Sequence, residues 1–97
     1  MDKALMHIIS GLLAQDAPAL SPLAAGILAA AYTGLCQDSR SFASRFGVAH
    51  ALVLRECVTL AEEQHLIELD NRQDPSQRLF FGLSDQGRET LAAADRP

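Results

Sequence analysis

Residues 39–87, SRSFASRFGVAHALVLRECVTLAEEQHLIELDNRQDPSQRLFFGLSDQG, constrain this chain more than any other stretch. Phe42, Ala43 and Phe46 set a short helical face, Gly47 permits a sharp exit, and Val48 anchors the turn into a second helix expected over about 49–64. Two short apolar runs follow, 66–69 and 79–83, separated by the polar segment 70–78 with its Asp74-Pro75 turn signal. The order is therefore helix, turn, helix, hairpin. Few arrangements suit it, because the hairpin has to fold back beside the two-helix unit to bury its apolar side.

Several of these residues carry a family pattern: Phe42-Ala43-x-Arg45-Phe46-Gly47-Val48, then Leu66-Ile67-Glu68, Asp74-Pro75-x-x-Arg78 and Leu83-Ser84-Asp85-x-Gly87-Arg88. On them the chain resembles the winged helix-turn-helix of MarR-type transcriptional regulators, with a weaker likeness back to Leu20-Ser21-Pro22. The resemblance implies a mainly α fold with a two-stranded β wing (α+β). Residues 1–97 then form one domain: an N-terminal helix over 1–16 that is a candidate dimer arm, a winged core over 20–88 and a C-terminal helix over 85–97. It also implies that Asp74 braces the hairpin while Arg78 reaches toward the minor groove, where narrowed A·T-rich DNA strengthens its attraction. Two departures stand out. Where the family usually has Gly, just before the residue matching Leu66, this chain has His65, and the sequence ends at Pro97 where family members continue into long dimer-forming helices.

Net charge decides how far DNA is favoured. Twelve acidic against eight basic residues give −4, which opposes DNA overall, since phosphate neutralisation supplies most nonspecific binding. The distribution is polarised, however: Arg40, Arg45 and Arg55 fall between 39 and 55 with no acid, while Glu56, Glu62, Glu63, Glu68 and Asp70 gather beyond. Ninety-seven residues make one small domain for which dimerisation would help the core.

Ahead of the central stretch, Leu5, Met6, Ile8, Ile9, Leu12 and Leu13 predict an amphipathic helix over 3–15. By resemblance it pairs with a second copy. Pro18 ends it, and Ser21-Pro22 starts the next helix, expected over 22–35 with Leu23, Ile27, Ala31 and Leu35 on one stripe. Asp38 or Ser39 caps the helix over 39–46, and Ser84 caps a last helix from Asp85, expected to fray or to pack on the first helix of a partner.

The second helix is unusually apolar for a DNA reader. Val53, Cys57 and Leu60 account for a core stripe, leaving Leu52, Leu54 and Val58 for another surface, suited to thymine methyls or to protein. Cys57, beside Arg55, is a candidate redox residue because some MarR-like regulators sense oxidants through cysteine; on the core stripe the same thiol reads as an inert apolar group. His7, His50 and His65 lack metal-ligand spacing. No nucleophile or phosphate-binding Gly loop accompanies Glu62-Glu63, so neither an enzyme nor a cofactor is expected. Interruption of the N-terminal apolar run by His7, Ser10 and Gly11 argues against a signal peptide or membrane span, and two isolated cysteines suit a cytoplasmic protein.

The functional expectation is a dimeric MarR-like regulator bound to double-stranded DNA. His50 and Arg55 enter the major groove; Ser39, Arg40, Ser41 and Arg45 lie at the backbone; Arg72, Gln73, Ser76, Gln77 and Arg78 form the wing contacts. The alternative is a winged module that binds a protein through Leu52, Leu54 and Val58 without reading DNA.

Overall fold

The computed structural model describes residues 3–15, 19–70 and 75–96. They form α1 (Lys3–Leu13), α2 (Pro22–Thr33), α3 (Ser39–Phe46), α4 (His50–Glu62), β1 (Ile67–Leu69), β2 (Phe81–Leu83) and α5 (Asp85–Ala94). The architecture is mainly helical with one two-stranded antiparallel sheet, an α+β arrangement. Among the described residues no helix is long and apolar enough to cross a membrane.

Helix α2 is the centre of the core, and its sequence explains why. Ser21 caps it by accepting the Ala24 N–H at 3.0 Å, with Pro22 in the first turn. Ala24, Ala25, Ile27, Leu28, Ala29 and Ala30 are buried, covering more of the circumference than the single stripe expected. Small alanines make this possible by letting α1, α4 and α5 approach from several sides. The helix ends at Thr33, two residues before the expected end, where Gly34 closes it in the left-handed conformation.

The outer helices pack within their own chain. Leu5, Ile8 and Leu12 of α1 are buried against α2 and α5 of the same chain. At Gly11 a Cβ would meet the Ala94 carbonyl, so α1 and α5 touch backbone to backbone. Leu91 and Ala94 fill the other side of that contact, so α5 is ordered against α1 of its own chain, where fraying or packing on a partner was expected. The apolar stripe of α1 closes its own core because a domain this small has little other surface with which to cover α2 and α5.

Helix α3 ends at Gly47 (φ 64°), whose N–H donates to the Ala43 carbonyl, and the chain turns directly into α4. Val53, Cys57 and Leu60 of α4 are fully buried, as their spacing predicts. Beyond α4 the strands pair with Ile67 opposite Leu83, Glu68 opposite Gly82 and Leu69 opposite Phe81. They are shorter than the apolar runs suggest. A further pairing lies on the outer edge of the second strand: Asp38 bridges Phe80, the Ser39 N–H donates to Leu79 O at 2.9 Å, and the Phe81 N–H donates to Gln37 O at 3.0 Å. Residues 37–39, immediately before α3, thus clamp the hairpin to the helix pair. Arg72, Gln73 and Asp74, expected at the hairpin tip, lie outside the described residues.

Candidate nucleic-acid interface

The junction between α3 and the hairpin is built on Asp38 and Ser39, the buried polar side chains among the described residues. Asp38 caps α3, with Oδ1 accepting the Ser41 N–H and Oδ2 accepting the Ser41 hydroxyl, both at 2.8 Å. Its Oδ1 also lies 3.5 Å from Arg78 Nε, an ion pair whose Nε is buried and makes no hydrogen bond. Arg78 is therefore drawn back onto the start of α3 while staying 38% exposed. Arg40, in the first turn of α3, donates from Nη2 to Ser76 O at 3.1 Å. Two guanidinium groups thus tie the helix to the hairpin.

Ser39 corrects an expectation. It is completely buried, so it does not face a phosphate. Its Oγ accepts the Leu79 N–H at 2.9 Å and lies 2.8 Å from His50 Nε2. A hydroxyl with one donor and two acceptor sites can hold both neighbours at once, so Ser39 joins the hairpin segment to the first residue of α4. Burial, then the positive charge of Arg40, lower the His50 pKa from its usual value; Asp38 opposes this and Arg78 adds to it. His50 is consequently held against α3 and is not the free major-groove side chain expected of it.

On the outward side of this joint is a cavity of about 780 Å³ whose wall carries Arg40, Arg45 and Arg78 together with the Ser41 and Ser44 side chains. Ser44 escaped the sequence reading, although it lies one turn beyond Arg40 on the same helical row. Ser76 and Gln77 lie on the hairpin beside it, Gln77 with a left-handed backbone (φ 63°). Arg55 is apart from the cavity, exposed on α4. There Leu52, Arg55 and Val58 follow at steps of three, each offset by about 60° around the helix. Leu52 is 46% exposed and Val58 41%, whereas Leu54 is half-buried and roughly 160° from Leu52. The three apolar residues do not form the one surface expected.

Cys57 is fully buried, and burial first, then Glu56, push its thiol up to about 12. A protonated, inaccessible sulfur is not a redox sensor, so the packing role holds. Among the described residues no group of His, Cys, Asp and Glu is arranged to hold a metal ion. No family model, curated protein or solved structure matches the chain at a significant level.

Proposed function

We propose that this chain is a winged helix-turn-helix DNA-binding regulator of MarR-like type, acting as a dimer. One observation supports the reading above the others: Arg40 and Arg45 from α3 and Arg78 from the hairpin converge on a single wall in a chain whose net charge is −4. A helix laid across a phosphate backbone needs this clustering, and the hairpin beside it extends the same positive surface. Because His50 is engaged by Ser39, base contact falls to the outward row of α4, with Arg55 toward guanine and Leu52 or Val58 toward thymine methyls.

The test is retardation of mixed genomic fragments at low salt. Wild-type protein retards a subset, and with three or four phosphate contacts the binding falls with salt at a logarithmic slope of roughly −3. Arg55→Ala relaxes fragment preference, and Arg78→Ala weakens all fragments alike. Retardation of no fragment, or binding indifferent to both substitutions, overturns the proposal.

A second reading rests on Leu52 and Val58, both more than two-fifths exposed on α4: the helix docks on a protein. Its signature is a defined partner whose capture is abolished by Val58→Asp in a folded protein that retards no DNA.

A further inference from the structure

The open pocket between α3 and the hairpin concentrates more positive charge than a single phosphodiester uses. A phosphodiester sits on the convex outside of DNA and carries one negative charge. This site is an open depression of about 780 Å³, with Leu35 and Cys36 lining it beside the three guanidinium groups. Of the three, Arg78 faces the carboxylate of Asp38, so the cluster keeps a surplus of two positive charges. The cationic groups are also preorganised, Arg40 by the Ser76 carbonyl and Arg78 by Asp38, which reduces the side-chain freedom lost when an anion is bound. Ser41 directs its proton to Asp38 at 2.8 Å and so keeps the cap closed behind the site.

We propose that this cavity binds a small phosphate monoester as the dianion, its phosphate held by Arg40, Arg45 and Arg78 and its organic part lying toward Leu35 and Cys36. Guanidinium groups match phosphate in planar, two-point hydrogen bonding as well as in charge. Since the cavity spans the joint between α3 and the hairpin, an occupant holds those elements in one relation and covers the arginines on which the DNA reading rests. The proposal deepens that reading into regulation of the same surface, yet binding of the monoester requires no nucleic acid.

The experiment titrates the whole chain, without DNA, with phenyl phosphate and with dimethyl phosphate, followed by calorimetry and by amide shifts of Ser41 and Ser44. Phenyl phosphate should saturate the site, and dimethyl phosphate, a monoanionic diester, should bind about tenfold more weakly or worse, a difference of about 1.4 kcal/mol. Arg45→Gln and Arg40→Gln should each weaken phenyl phosphate by a similar factor, whereas Arg88→Gln, which alters an arginine paired with Asp85 on α5, leaves it unchanged. Circular dichroism verifies that each variant is folded. Absence of saturation, equal binding of the two esters, or indifference to Arg45→Gln overturns the proposal. Retarded duplex without phenyl phosphate binding removes the monoester site and leaves the DNA reading standing; phenyl phosphate binding without any retarded duplex does the reverse.

Discussion

Ser39 shows how much one hydroxyl can organise when it is buried between three segments. It accepts the Leu79 N–H, hydrogen-bonds His50 at the start of α4, and belongs to α3 itself. Ser39→Ala leaves the Leu79 N–H and His50 Nε2, both half-buried, without their partner, and each lost hydrogen bond costs about 0.5–1.5 kcal/mol. A loss of roughly 1–3 kcal/mol in urea unfolding is expected, against little change for Ser44→Ala on the exposed side of the same helix. The His50 bond also ties stability to pH. A histidine whose pKa is lowered on folding resists protonation, so its contribution is complete above the unfolded value of 6.5 and is lost as pH falls below it. Wild-type protein should therefore lose more stability than His50→Gln between about pH 7.5 and 5.5, and parallel curves for the two would refute this linkage. Sequence placed Ser39 at a phosphate because a serine near a helix start reads as polar surface. Nothing local announces that Leu79, forty residues on, reaches over to cover it.

At the level of elements, capping and periodicity made most of the helices legible. Ser21-Pro22, Asp38 and Ser84 each cap a helix where their side-chain chemistry predicts, and the Val53, Cys57, Leu60 stripe is buried as its spacing requires. The pairing of 37–39 with 79–81 was not legible, because Gln37, Asp38 and Ser39 have no alternating apolar pattern and the partner strand is distant in sequence. The cavity was half legible: its arginines stood out, while the Asp38–Arg78 ion pair depends on that unseen strand contact. The joint between α4 and β1 offers a sharper test. His65 has φ 57°, its carbonyl accepts the Ser84 hydroxyl at 2.6 Å, and the next residue, Leu66, donates its N–H to Leu60 O at 2.9 Å. Such a left-handed backbone favours Gly, which has no Cβ to crowd it. His65→Gly should keep or raise the urea midpoint, whereas His65→Val should lower stability by about 1–2 kcal/mol because a β-branched side chain crowds a left-handed backbone. A Val variant as stable as wild type would show that the joint tolerates another conformation.

For the molecule as a whole, α1 decides whether the domain can exist as a single copy. Leu5, Ile8 and Leu12 are at most 3% exposed, and burying each such side chain contributes about 1.5–3 kcal/mol. Together they supply roughly 5–9 kcal/mol, comparable with the entire stability of a small domain. Gly11 against Ala94 brings α5 into the same unit, so removing α1 also uncovers Leu91. Deletion of residues 1–15 should consequently abolish cooperative unfolding even at dilute concentrations where subunit association plays no part. The other side of α1 behaves differently. Met6 (43% exposed) and Leu13 (44%) lie seven residues apart on one row, with half-buried Ile9 between them. If two copies join as the proposed function requires, this row is the part of α1 left to join them. Met6→Glu with Leu13→Glu should then leave the thermal transition of the isolated domain almost unmoved while shifting sedimentation toward the monomer. A deletion variant that still melts cooperatively would contradict the packing role of α1. A double Glu variant that sediments as wild-type dimer would move the subunit contact to another face, with α1 still closing the core of each copy.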